Sequence, residues 1–330
     1  MNIKVFFITI SITFLTTLLA TKRLIPILAK RRIGQKILEI GPSWHKGKNG
    51  TPTMGGVSFI LASLISFFFV MVIFGQKIDN RELYSITNIL VYGLLNALIG
   101  AIDDIAKIRK NKNEGLTPKG KLILQSLASV VFLILMKYTV GMTTKLNIPY
   151  FDVSIELGFS YYIFAFLLLC GITNAVNLTD GIDGLASTCV LTVGMFFYLV
   201  SATKAESVSL GFFGALLLGT SLAFLIFNLH PAKIFMGDTG SLFFGGIIVG
   251  TSFIFNSPLL VLLFGISFVL EALSVILQVM YFKLTKGKRL FKMAPLHHHL
   301  EKSGYSEMRV VSVFGIVNIV FCLIAYFGVK

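Results

Sequence analysis

The sequence predicts an all-α, polytopic integral membrane protein with about ten transmembrane helices, and three observations carry that prediction. Of its 330 residues 55% are hydrophobic and only 13% charged, above the roughly 45–50% apolar content of soluble domains. Apolar runs of the length a helix needs to cross a bilayer, about 17–25 residues, recur along the whole chain. Lys and Arg gather in alternate connections between those runs. Such a composition requires lipid as its solvent, and the chain reads as one membrane-embedded domain over 1–330.

The first run, 3–21, has Lys4 before it and Lys22-Arg23 after it. That asymmetry marks a retained span with an external N-terminus rather than a cleaved leader. The second, 53–75, opens at Thr51-Pro52, residue types suited to an N-cap and first helical position. The third, 86–105, ends on Asp103-Asp104, and the fourth, 120–139, starts among Lys119 and Lys121. Between the fourth and the fifth, 158–176, the alternation of Ile148, Tyr150, Val153 and Ile155 around Pro149 reads as a short external hairpin. The remaining runs fall at 184–202, 208–227, 240–256, 258–283 and 308–329. Only Asn256-Ser257-Pro258 separates the ninth from the eighth.

With the N-terminus outside, 22 of the 29 Lys and Arg fall on the cytoplasmic side, in segments 22–52, 107–121, 228–239 and 283–309. This obeys the positive-inside rule. Topology therefore explains the formal net charge of +14. Nucleic acid is not an expected partner, because no aromatic-basic surface or binding motif accompanies the charge. Cys170, Cys189 and Cys322 sit inside apolar runs without metal-ligand spacing and read as small core residues.

The polar motifs fall in the five cytoplasmic connections or the adjoining span ends: His45 to Gly56, Asp103 to Lys121, Asn174 to Gly184, Asn228 to Ser241 and Pro295 to Glu301. Their convergence on one face can build a site where water-soluble and lipid substrates meet. Asp103 and Asp104, at a helix C-terminus, oppose the helix dipole. Either Lys107 compensates them locally, or they hold a metal or accept a proton in phosphoryl transfer.

Asp180 and Asp183 are each followed by glycine, which allows tight turns that present side-chain oxygens, although Asp183 also suits the cap of the sixth span. Asp238 lies between glycines before the eighth span. It, or Thr239, is either an N-cap or, for Asp238, a hard oxygen ligand for Mg²⁺ beside a phosphate-favouring helix N-terminus. His297, His298 and His299 suit tetrahedral zinc poorly, because adjacent side chains on a helix diverge. Binding of a pyrophosphate or sugar is the favoured reading. Lys46 and Lys48 open the second span and attract anionic head groups. Glu271, inside the ninth span, is a functional candidate by default, with pairing inside the bundle as its alternative.

Five segments together resemble the polyprenyl-phosphate N-acetylhexosamine-1-phosphate transferase superfamily, in its phospho-MurNAc-pentapeptide transferase branch. They are Gly50-Thr-Pro-Thr-Met-Gly-Gly56, Asp103-Asp104, Asn177-Leu-Thr-Asp-Gly-Ile-Asp-Gly184, Gly237-Asp-Thr-Gly-Ser241 and Met293-Ala-Pro-Leu-His-His-His-Leu-Glu301. The Asp-rich segments mark the superfamily and the triple histidine favours the branch. Leu296 and Leu300 stand where Ile and Phe are often seen.

The resemblance implies a multi-pass protein of the bacterial inner membrane with its active site on the cytoplasmic face. It implies UDP-MurNAc-pentapeptide and undecaprenyl phosphate as substrates, lipid I and UMP as products, Mg²⁺ as cofactor, and membrane lipid as surroundings; a homodimer is a further partner expectation. By carry-over, Asp238 is the metal ligand, Asp103 the base or nucleophile, and Asp104 a support for metal or diphosphate, with His297 and His298 beside the diphosphate or sugar. Asn177, Asp180 and Asp183 take the uridine and sugar-phosphate side. Lys48, Lys119 and Lys121 bind anionic groups, and Thr53, Asn174, Asn228 and His299 complete the substrate-binding set. The nearest rival is a sibling moving GlcNAc-1-phosphate or another UDP-amino-sugar phosphate. An ion-coupled transporter is the rival of another class, with Glu271 as its main support.

Overall fold

The computed structural model describes residues 2–31, 33–34, 48, 50–110, 115–151 and 153–329. Among them ten helices are long and apolar enough to cross a membrane, as the sequence predicts. Helix α1 (Asn2–Lys30) outruns its predicted end: Thr21 donates to Ser58 at 3.0 Å and Leu28 is buried, which anchors one face of the extension while Lys22, Arg23 and Lys30 stay exposed. Helix α2 (Val57–Phe74) begins later than predicted. Thr51 and Pro52 do not cap it. The Pro52 carbonyl instead accepts the Phe235 N–H at 2.8 Å, and the N–H groups of Gly55 and Gly56 donate to the Phe235 and Met236 carbonyls. The chain must first satisfy this lateral pairing, and only then can it coil.

Helix α3 (Asn80–Lys110) continues past Asp103 and Asp104 instead of ending there. Both carboxylates therefore stand more than a turn inside the helix, where the terminal dipole opposes them less. Helix α4 (Pro118–Leu135) starts at Thr117, whose hydroxyl accepts the Gly120 N–H at 3.1 Å. The predicted hairpin follows as β1 (Lys145–Asn147) and β2 (Ser154–Glu156), antiparallel with Leu146 opposite Ile155. Helices α5 (Ser160–Thr179), α6 (Leu185–Val200) and α7 (Val208–Asn228) come next. Gly184, with φ +80°, precedes α6, and the Asp183 carboxylate is engaged elsewhere, so Asp183 is not its cap.

Helix α8 (Gly237–Ser252) is the centre of the bundle and packs most closely on α3 and α5. Its glycines make that approach possible. A Cβ on Gly245 would lie 2.8 Å from the Thr173 Cα, and Gly240 abuts Gly56. Small residues at helix contacts let backbones approach in membranes, where apolar burial alone does not drive association.

The expected ninth run is broken at Gly265 into α9 (Val261–Phe264) and α10 (Ile266–Leu284). A broken helix in an apolar setting needs its freed backbone groups satisfied, and Asn318 does this from α12 (Glu307–Gly328). Its amide donates to the Phe264 carbonyl at 3.0 Å and its oxygen accepts the Ser267 N–H at 3.1 Å. After α10 the chain runs back along it. Gln278 accepts the N–H groups of Leu290 and Phe291, and Glu271 accepts that of His297, the second residue of α11 (Leu296–Glu301).

Candidate active site

The start of α8 is held from a neighbouring helix. Asp104 of α3 accepts the backbone N–H groups of Asp238 and Thr239 at 3.1 and 2.9 Å, and the Thr239 hydroxyl at 2.6 Å. Neither Asp238 nor Thr239 is the N-cap: both lie in the first turn of α8, and Asp104 satisfies the open donors that a cap usually takes. This fixes Asp238 beside Asp103 and Asp104. The three carboxylates bring oxygens within 4.8 Å of one another.

Two ammonium groups offset this charge. Lys107 reaches Asp103 at 2.6 Å and Asp238 at 3.2 Å, and Lys121 reaches Asp238 at 2.7 Å. The local pairing of Lys107 with Asp103 is thus real, but the lysine also bridges to Asp238, so compensation and clustering are one arrangement. The other Asp103 oxygen accepts the Leu116 N–H at 2.7 Å, which folds the chain before α4 over the carboxylate. Asn177 of α5 donates to Asp238 at 3.1 Å and to Ser241 at 2.8 Å, and accepts from Lys121 at 3.1 Å. Asp180 is half-buried. Its carboxyl is pushed up to about 8 by burial first, then by the charges of Asp238, Asp104 and Asp183.

A second cluster stands beside the first. Lys48 bridges Asp183 at 2.7 Å and Glu307, at the start of α12, at 2.6 Å. The second Asp183 oxygen accepts the Ala232 N–H at 3.0 Å and faces His230 Nδ1 at 3.0 Å. Sequence reasoning missed His230 and Glu307. Glu307 reads as an ordinary first-turn acid after the Ser306 cap, and only the fold brings it to Lys48. The Lys48 ammonium between the two carboxylates offsets one of their two charges.

The three histidines diverge, as helical geometry requires. His297 is buried and its Nδ1 faces Glu271 Oε2 at 3.0 Å. His298 pairs with Glu301 at 2.8 Å, and His299 Nδ1 accepts the Lys292 N–H at 3.1 Å. Thr53 is buried beside Gly237, where a Cβ would approach its hydroxyl to 3.0 Å.

Three predicted residues lie apart from the clusters. Asn174 donates to Gln125 at 2.8 Å, tying α5 to α4. Asn228 donates to the Ile234 carbonyl and accepts from Ser187, closing the loop between α7 and α8. Lys119 is exposed on the first turn of α4. His45 and Lys46 lie outside the described residues.

Hard carboxylate oxygens converging from two helices suit a small divalent cation such as Mg²⁺. Asp104 is committed to the backbone of α8, whereas Asp103 and Asp238 face the ammonium groups of Lys107 and Lys121. Comparison with known proteins names the class first. Residues 86–256, which contain Asp103, Asp104, Asn177, Asp180, Asp183 and Asp238, match Glycosyl transferase family 4. Residues 48–60 match phospho-N-acetylmuramoyl-pentapeptide-transferase signature 1.

Curated relatives named phospho-N-acetylmuramoyl-pentapeptide-transferase are similar over almost their full length. That of Clostridium perfringens (strain 13 / Type A) is 44% identical, covering 96% of this chain and 96% of its own. That of Clostridium kluyveri (strain ATCC 8527 / DSM 555 / NBRC 12016 / NCIMB 10680 / K1) is 45% identical, covering 96% of each. That of Halalkalibacterium halodurans is 41% identical over 98% of this chain and 97% of its own. The chain belongs to the phospho-N-acetylmuramoyl-pentapeptide-transferase family.

Proposed function

We propose that the chain transfers phospho-MurNAc-pentapeptide from UDP-MurNAc-pentapeptide to undecaprenyl phosphate, giving lipid I and UMP, as one domain of the bacterial inner membrane. The observation that carries this reading is the Asp103–Asp104–Asp238 cluster, threaded by Lys107 and Lys121 at one end of a membrane bundle. The Lys and Arg distribution supports an external N-terminus and a cytoplasmic site.

In the reaction an oxygen of the lipid phosphate attacks the sugar-linked phosphorus. A new P–O bond forms as the bond to the UMP phosphate oxygen breaks, and UMP leaves with the electron pair. Such a transfer asks the protein for positioning and charge neutralisation. Lys107 and Lys121 supply positive charge beside the diphosphate, and Asp103, oriented by Lys107 and the Leu116 N–H, faces the lipid phosphate and takes any proton it retains. Asp238 would hold Mg²⁺, which when bound would neutralise charge on the phosphoryl oxygens. Asn177 orients Asp238. Asp180, Asp183, Lys48 and Thr53 form the donor side. His298 and His299 line the approach to the sugar or diphosphate, and Lys119 attracts the anionic substrates.

The test is UMP release in proteoliposomes, measured for wild type, Asp103→Asn, Asp238→Asn and His298→Ala. Wild type should require both undecaprenyl phosphate and Mg²⁺, and lose activity in chelator. Each variant should be strongly impaired, and full activity in all three would show that the site is elsewhere. Transfer from UDP-GlcNAc without transfer from UDP-MurNAc-pentapeptide would favour the sibling reaction, and donor flux without UMP release would favour transport.

A further inference from the structure

Glu271 is wholly buried in α10, yet it is not an isolated charge. Its Oε1 accepts the His297 backbone N–H at 3.1 Å, and its Oε2 faces the same residue's Nδ1 at 3.0 Å. A carboxylate at Nδ1 keeps the imidazole proton there and leaves Nε2 as a lone pair. That Nε2 is buried without a partner among the described residues. It lies against Gly181, where a Cβ would come within 2.2 Å of it. The ring thus fills the space behind the turn from Asp180 to Asp183, and glycine is the residue that leaves room for it.

A ring N–H in that position would be worse than a lone pair, since buried donors without acceptors are rarer than under-used acceptors. From these contacts we infer that Glu271 is a positioning residue for the transfer, acting through the tautomer and placement of His297 to seat the Asp180-Gly181-Ile182-Asp183 turn beside the carboxylate cluster. This rests on the transferase reading. It makes His297 a buttress of the donor side and gives the intramembrane acid a role distinct from ion coupling.

Glu271→Gln tests the idea with little change of shape. The amide oxygen still accepts the His297 backbone N–H, so the amide nitrogen faces Nδ1 and forces the ring proton onto Nε2, against Gly181. The expected result is a fall of about tenfold or more in kcat/KM for the nucleotide-sugar donor, with KM for the lipid phosphate changed less than about twofold. The double variant Glu271→Gln/His297→Ala should be no worse than His297→Ala alone, because one residue acts through the other. Wild-type kinetics in Glu271→Gln, or additive losses in the double variant, would overturn the inference.

Nitrogen-15 NMR of histidine-labelled wild type, with His297→Ala identifying the resonance, provides a reading independent of turnover. Protonated Nδ1 with bare Nε2 supports the inference, and the opposite tautomer sinks it. Absence of UMP release from wild type would instead remove the transferase reading while leaving the tautomer result standing.

Discussion

Adding one methyl group at Gly100 should separate the carboxylate-bearing helices without touching a carboxylate. A Cβ at Gly100 of α3 would lie 2.2 Å from the Asp238 carbonyl oxygen and 2.6 Å from the Thr239 backbone nitrogen. Ordinary contact begins at 3.4 Å, so in Gly100→Ala the start of α8 must retreat from α3 by about an ångström, carrying Asp238 away from Asp103 and Asp104. Misplacement on that scale costs on the order of 10²-fold in rate, and overpacking costs about 1–3 kcal/mol in stability.

Gly93→Ala is the matched control on the same helix pair. Its Cβ would meet Ile247 Cδ1 at 2.5 Å and Cγ1 at 2.9 Å, side-chain atoms rather than the backbone that Gly100 faces. UMP release and thermal unfolding would be measured for both variants in the same lipid. Gly100→Ala should lose most of its turnover while Gly93→Ala stays near wild type. Equal activities in the two would refute the claim that the α3–α8 distance sets the cluster.

Two further outcomes follow from groups described above. Asn318→Leu should leave the Ser267 N–H unsatisfied at the helix break and the Phe264 carbonyl with only the weak Cys322 thiol as donor at 3.5 Å; a buried orphan costs about 1–3 kcal/mol, so the thermal midpoint should drop clearly below that of wild type. The Asp180 carboxyl, held at about 8 in the folded chain against an ordinary value near 3.8, binds more protons folded than unfolded between those values. Native stability from this group is therefore full below about pH 4 and lost as pH rises through about 8. In chelator, Asp180→Asn should flatten that decline, and an unchanged slope of melting temperature against pH would contradict it.

The spans were legible because bilayer thickness imposes one length on every apolar run, and the hairpin because Ile148, Tyr150, Val153 and Ile155 alternate around a proline. Asp103, Asp104 and Asp238 stood out as acids at span ends in an otherwise apolar chain. Their arrangement did not, since Asp104 reaches α8 across more than a hundred residues. Thr51-Pro52 carried the local chemistry of a helix start, but pairing with Phe235 overrode it. The break at Gly265 was hidden for the opposite reason: its compensation sits on another span, at Asn318. Glu271 could be flagged as unusual from its own position, whereas its partner became visible only once the chain was seen to double back along α10.

The cap that Asp104 places on α8 also bears on how the protein is made. Among the ten spans α8 is the least apolar and the most enclosed, so it partitions weakly into lipid when it emerges from the insertion machinery. Its N-terminal donors remain open until a carboxylate meets them, and the one that does lies on α3, which precedes it in the chain. Helix α3 is therefore already present as a template when α8 arrives, and the contact that completes α8 as a stable span is the same one that brings Asp238 to the cluster. The shared contact predicts that integration of the central helix and assembly of the site occur together.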